Sequence, residues 1–161
     1  MTTRQVTAHT TDHLAIRSLL DRYTNGLNQR DWAAVRAVFT DDGVWDAGGP
    51  EMGHNAMRFE GGVNCSQGIA GLVSPMELCV QSNHAPVIHV DGDHATAVST
   101  INEMVLAPGA PGVTTIWGTY YDDIVRDSDG EWRFRLRKFR FTWIDAAGAK
   151  GQVLARFPLA R

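Results

Sequence analysis

The chain has 161 residues, 43% of them hydrophobic and 20% charged, with a formal charge of −3. That length is enough for one domain that buries roughly 70% of its unfolded surface, and the charge balance leaves no electrostatic footprint for nucleic acid or an anionic membrane. No apolar run approaches the ~18 residues of a membrane span, residues 1–11 lack the apolar core of a secretory signal, and Cys65 and Cys79 are expected as reduced thiols in a cytoplasmic protein.

Residues 1–11 read as a flexible tail. Ile16, Leu19, Leu20, Tyr23 and Leu27 then recur at the helical period, predicting a helix over about 12–28 with one buried stripe and with Tyr23 and Asn28 at its far end. Gly26 near its end lets another backbone come close. Asp31 opens a short second helix through Trp32, Val35 and Val38-Phe39. Thr40 to Gly43 is a turn and Gly43 to Asp46 a short strand. Residues 48–59 are rich in turn formers and read as a loop that could close as a lid. A third helix is expected from Ser66 through Ile69 and Leu72, closed by Pro75. Glu77–Val90 and His94–Ala107 form a long hairpin around Asp91-Gly92-Asp93, and Pro108 to Gly112 is a connection. Thr115–Arg126 and Trp132–Trp143 form a second hairpin around Asp127-Ser128-Asp129-Gly130. Helices first and long antiparallel strands after predict an α+β domain over residues 12–145, with residues 146–161 as a tail that docks on the domain or a partner.

The last strand contains a parity switch. Trp132, Phe134 and Leu136 are apolar with Arg133, Arg135 and Arg137 between them, but Phe139, Phe141 and Trp143 then take the parity that had been charged. A period of two cannot change face without an extra residue, so a β-bulge is expected near Lys138, bending the sheet into a concave surface. On this reading Arg133, Arg135 and Arg137 make one charged ridge facing solvent or a dimer partner. Apolar residues on both parities of long strands need cover on both faces, which predicts a homodimer through the outer face.

Three segments resemble the NTF2-like superfamily, and within it the SnoaL-like group. They are Tyr23-Thr24-Asn25-Gly26-Leu27-Asn28-Gln29-Arg30-Asp31-Trp32 with Val38-Phe39-Thr40-Asp41-Asp42; Pro86 to Ala95; and Gly118-Thr119-Tyr120-Tyr121-Asp122 with Asp129 to Phe134. The resemblance implies a cone-shaped curved antiparallel sheet closed by N-terminal helices around a pocket, commonly dimerised. It also implies either a cofactor-independent lyase, isomerase or cyclase acting on an apolar, possibly polycyclic (polyketide- or steroid-like) substrate, or a non-catalytic subunit that binds a ligand or supports a partner. Fold alone does not choose between them.

The dehydratase-like members use an aspartate at the end of helix one and a histidine on the first long strand. Here those positions align with Asn28 and Gln81, and a second histidine position aligns with Trp117. An amide is no base near neutral pH but still donates and accepts hydrogen bonds. His84, three residues beyond Gln81, is the candidate proton carrier, with Asn28 and Tyr23 as polar partners; a surface histidine is the alternative. Pairing across the first hairpin sets His84 opposite Thr100, on one face with Asn102 and Ile88. Trp45, Trp117, Tyr120 and Phe141 are either an aromatic pocket wall or plain core, and Gln81 and Asn102 are the candidate polar contacts to substrate. Asp46 and Glu103 are either buried carboxylates with raised pKa or solvated strand-edge groups. No metal-ligand spacing is present, and no metal or cofactor is expected.

Overall fold

The computed structural model of the protein describes residues 3–48 and 56–149. The first helix, α1 (Thr3–Gln29), starts at Thr3 rather than near residue 12, because no glycine or proline interrupts the polar lead-in. Its stripe of Ile16, Leu19, Leu20, Tyr23 and Leu27 is buried as the periodicity predicts, each side chain contributing about 1.5–3 kcal/mol of transfer free energy. The helix ends on Arg30, which has φ 56. Arg30 N–H donates to Leu27 O and Asp31 N–H to Gly26 O, the paired bonds of a left-handed helix stop. The Arg30 guanidinium in turn donates to Ser74 O and Met76 O beyond the third helix. Asp31 caps α2 (Trp32–Ala37) by accepting from Ala34 N–H. A Cβ on Gly26 would sit 3.0 Å from Val35 Cγ2, so the missing side chain is what seats α2 on α1. The third helix, α3 (Gly62–Val73), begins four residues before the predicted Ser66.

Seven strands form one curved sheet: β1 (Phe39–Ala47), β2 (Met57–Glu60), β3 (Leu78–Asn83), β4 (Val87–Asp91), β5 (His94–Leu106), β6 (Val113–Arg126) and β7 (Trp132–Ala149). Their order is β2-β1-β7-β6-β5-β3, with β4 also paired to β5. The sheet is antiparallel except where β1 runs parallel to β7, a junction the antiparallel reading did not include. The predicted Thr40–Gly43 turn is part of β1, where pairing with β7 slips between Phe39 and Val44. Of the expected lid, residues 49–55 lie outside the described residues and Met57–Glu60 is strand. The docking tail lies outside them from residue 150 onward, and β7 runs to Ala149 rather than stopping at Trp143.

Two further corrections concern register, and both move side chains between faces. The single strand expected over Glu77–Val90 is broken between Asn83 and Val87. His84 N–H still donates to Thr100 O, but Val87 pairs with Val98. Three residues on one strand therefore span two on the other. The extra residue returns Ile88 to the inner face opposite Ala97, while His84 stays outside. Pro86, which lacks an N–H, fits such an interruption. In β7 the bulge lies at Arg135, not at Lys138: Asp123 pairs with Leu136 and Ile124 with Phe134. A second extra residue, Thr142, separates the Trp117–Trp143 and Gly118–Phe141 pairs. Moving the switch three residues back turns Arg137 inward, where it is 0% exposed. The three arginines thus do not form one ridge.

Candidate functional site

The inner face of the sheet and the helices frame a partly open cavity of about 200 Å³. Tyr23 and Leu27 of α1, Ile69, Leu72 and Val73 of α3, and Met57 and Met76 form one side. Trp45, Ala47, Cys79, Gln81, Glu103, Val105, Ile116, Tyr120, Phe139 and Phe141 come from the strands. The aromatic wall is built by contact: Trp45 stacks on Phe59 with ring centroids 5.6 Å apart, and Phe139 meets Tyr120 at 5.0 Å and Phe141 at 4.8 Å. Gly118 makes room for it, since a Cβ there would lie 2.2 Å from Phe139 Cζ.

Polar groups gather at one side of this apolar space. Trp45 Nε1 donates to Tyr23 Oη at 3.1 Å, and the Tyr23 and Tyr120 hydroxyls lie 3.4 Å apart. Gln81 Nε2 donates to Glu103 Oε2 at 2.8 Å and approaches Tyr120 Oη at 3.5 Å. Two hydroxyl protons serve one contact between the tyrosines, so one remains for a ligand. Burial raises the Tyr23 pKa well above its ordinary value, Tyr120 adding to the rise and Arg137 opposing it. Burial raises Tyr120 as well, again against Arg137. Both therefore stay neutral donors across the working range. Burial also raises the Glu103 carboxyl, with the Gln81 amide pulling the other way. Among the described residues, none that lines the cavity carries a cationic side chain.

Beneath the tyrosines lies a buried ion pair. Arg137 Nη1 donates to Asp122 Oδ2 at 2.8 Å, and both side chains are fully enclosed. The guanidinium carbon is 4.2, 3.7 and 4.5 Å from the ring centroids of Tyr23, Tyr120 and Phe134, a cation–π arrangement strengthened by desolvation. Burial pushes the Asp122 carboxyl up to about 7, against the pull of Arg137. Arg137 Nε and Nη2, Asp122 Oδ1 and Ser99 Oγ have no partner among the described residues.

The candidates from sequence divide between the two faces of the sheet. Tyr23, Trp45, Gln81, Tyr120 and Phe141 line the cavity. His84 does not: it is exposed on the outer face, stacked on Trp117 at 5.5 Å. Trp117 is 37% exposed on that face. Asn102 pairs with it there and donates to Ile116 O. Asn28 is neither free nor in the cavity lining. Its Nδ2 donates to Gln81 O and its Oδ1 accepts from Gln81 N–H, both at 2.8 Å, so the side chain imitates a neighbouring strand and pins β3 to α1. The two open carboxylates also part ways. Glu103 has the raised affinity for protons, whereas at Asp46 burial is outweighed by Arg140 and Arg58, which hold the carboxyl below its ordinary range. The residues missed were Asp122 and Arg137. The available signal was parity: with the bulge at Arg135, both fall on the inner face with Tyr120.

A search of curated proteins found no match to this sequence. Among solved structures the chain is similar to a candidate scytalone dehydratase from Novosphingobium aromaticivorans DSM 12444, at 19% identity and a TM-score of 0.74 over 97% of this chain and 98% of that one. It is similar to a type 2 hexachlorocyclohexane dehydrochlorinase, LinA, at 15% identity and 0.77 over 92% and 95%. The LinA-type3 enzyme of Novosphingobium barchaimii LL02 matches at 14% and 0.74 over 85% and 90%. At these identities the likeness is one of fold. Residues 8–138 match the SnoaL-like domain, and on that match, with the NTF2-like architecture around its cavity, the chain belongs to the SnoaL-like family.

Proposed function

We propose that this protein is a small-molecule lyase or isomerase that moves a proton on an apolar substrate, with Glu103 as proton carrier and the Tyr23–Tyr120 pair as donor to a substrate oxygen. The observation that carries this reading is a carboxyl of raised pKa, Glu103, in the wall of an apolar cavity beside a spare neutral hydroxyl. A base is most effective when its pKa approaches the working pH, and burial moves a glutamate in that direction. Taking a proton from the carbon next to a carbonyl leaves negative charge on the carbonyl oxygen, and a fixed hydroxyl donor stabilises it. Returning the proton to another carbon completes an isomerisation; loss of a β-substituent with its bonding pair completes an elimination. The reading uses only side chains of this chain and needs no cofactor. Its partners are a small apolar molecule and a second copy of the chain, and the buried Cys65 and Cys79 thiols suit a cytoplasmic setting.

The test is hydrogen exchange in D2O followed by proton NMR with an enolisable aryl ketone such as 2-tetralone. The wild type should accelerate exchange, and Glu103→Gln should lose a factor on the order of 100 to 10,000. Exchange at the wild-type rate by Glu103→Gln would remove Glu103 from the mechanism. A second reading, a non-catalytic ligand-binding or partner-supporting subunit, is favoured by Asn28 being spent on the β3 backbone and His84 lying on the outer face. It predicts thermal stabilisation by ligand, about 2.7 kcal/mol at 100 times the dissociation constant, with no exchange at all.

A further inference from the structure

Gln81 occupies an unusual position in the cavity wall. It is buried, and its amide nitrogen donates to Glu103 Oε2 and reaches the Tyr120 hydroxyl oxygen. Its Oε1 has no partner among the described residues. Turning the amide over would aim that oxygen at the Glu103 carboxylate, two acceptors facing each other at 2.8 Å, with only the longer 3.5 Å contact to Tyr120 Oη in return. Its backbone is equally fixed, because Asn28 holds both the N–H and the carbonyl of Gln81. Gln81 thus lines the cavity with a buried acceptor, Oε1, that has no partner among the described residues, beside the tyrosine pair. A buried acceptor left without a hydrogen costs far more than one that is satisfied, so a ligand that supplies the hydrogen gains over one that does not.

Size and charge narrow the ligand further. The volume of about 200 Å³ compares with the ~150 Å³ apolar cavity that accommodates benzene. That space suits one ring with a short chain, or two fused rings. With Glu103 in its wall and no cationic side chain among the described lining residues, it disfavours an anion.

We infer that the ligand is a neutral one- or two-ring compound carrying a hydroxyl, that Gln81 Oε1 accepts the hydroxyl hydrogen while the tyrosine pair donates to its oxygen, and that Asn28 is the positioning residue that holds Gln81 in place. The inference rests on the cavity being the ligand site, as proposed above, but not on catalysis there. It narrows the polycyclic, steroid-like expectation to the small end of that range.

The test is calorimetric titration of the full chain with three probes that share one body: 4-butylphenol, 4-butylanisole and 4-butylbenzoate. Wild type should bind the phenol about tenfold more tightly than the ether, a difference of about 1.4 kcal/mol, and the benzoate more weakly than either. In Gln81→Met the preference for phenol over ether should shrink to within about twofold. Asn28→Ala should weaken the phenol more than the ether, a split that a merely structural loss would not give. The phenol should also shift the Gln81 side-chain amide resonances of the wild type, a readout that needs no variant. A wild type that takes phenol and ether equally, or takes neither, overturns the inference, as does a Gln81→Met that keeps the preference. Phenol binding as described with no ketone exchange would instead leave it standing and sink only the proposed chemistry.

Discussion

At the scale of single residues, the same chemical type does different work according to what it faces. Asn28 is an amide at the end of α1 whose two polar atoms are matched to one peptide unit. An aspartate there keeps the acceptor but sets a carboxylate oxygen against the Gln81 carbonyl. We therefore expect Asn28→Asp to destabilise the fold by about 1–3 kcal/mol, read by urea denaturation, and to create no acid–base pair with His84, which lies on the other face of the sheet. The Arg137–Asp122 pair makes a second prediction. Removing Asp122 leaves the buried guanidinium uncompensated, so Asp122→Leu alone should cost about 3–5 kcal/mol, while Arg137→Met leaves a carboxyl that burial keeps protonated and should cost less, as should the double variant. Asp122 also ties stability to pH. Its carboxyl rises in the fold from 3.8 to about 7, so between those values the native state holds a proton that the unfolded chain has released. That contribution is present in full below about pH 4 and is lost as the pH rises through 7. Glu103, raised by burial, acts with the same sign. The melting temperature should fall between about pH 5 and 7, and the fall should be smaller in Asp122→Asn.

At the scale of elements, β7 decides which side chains reach the cavity. The extra residues at Arg135 and Thr142 switch its inward parity twice. Phe134, Arg137, Phe139 and Phe141 thereby face the helices, while Lys138 and Arg140 pair with Tyr121 and Thr119 on the other side. Gly118 is the matching device on β6. A Cβ there would fall 2.3 Å from Phe139 Cε2 and 2.7 Å from Arg140 O. The ring could yield only into the cavity, and the backbone oxygen less readily still. Gly118→Ala should therefore cost about 1–3 kcal/mol, and it should weaken binding of 4-butylphenol as Phe139 is pushed into the ligand space. Unchanged stability and affinity in that variant would show that β6 and β7 can separate without cost.

At the scale of the whole molecule, the outer face of the sheet carries the apolar residues the cavity does not use. Trp117 and Trp143 are cross-strand partners, Tyr121 pairs with Val98, and Met104 lies farther along the same face; all five are substantially exposed. Such a continuous face is unusual on a monomer, and it is the surface on which we propose that a second copy packs. Light scattering at tens of micromolar, where a standard interface persists, should give the dimer mass. Trp117→Glu with Trp143→Glu should give the monomer with an unchanged far-ultraviolet spectrum. A monomeric wild type would leave this face to another partner.

The sequence by itself determined what depends on neighbours along the chain. The α1 stripe from Ile16 to Leu27 follows from the helical period, the turns at Asp91–Asp93 and Asp127–Gly130 from local turn chemistry, and a bulge in β7 from the parity of its apolar residues. The three resemblance segments reached the family, and Tyr23, Trp45, Gln81, Tyr120 and Phe141 were legible as candidates, with plain core as the open alternative for Tyr23 and the other aromatics. What only the tertiary structure decided was registry. A strand repeats every two residues, so one inserted residue moves every later side chain to the opposite face, and local pattern constrains where that happens only loosely. The break before Val87 left His84 outside, and the bulge at Arg135 rather than Lys138 brought Arg137 in against Asp122. The fate of Asn28 was equally out of reach, because whether an amide faces a cavity or a backbone 53 residues away depends on the packing of α1 on β3.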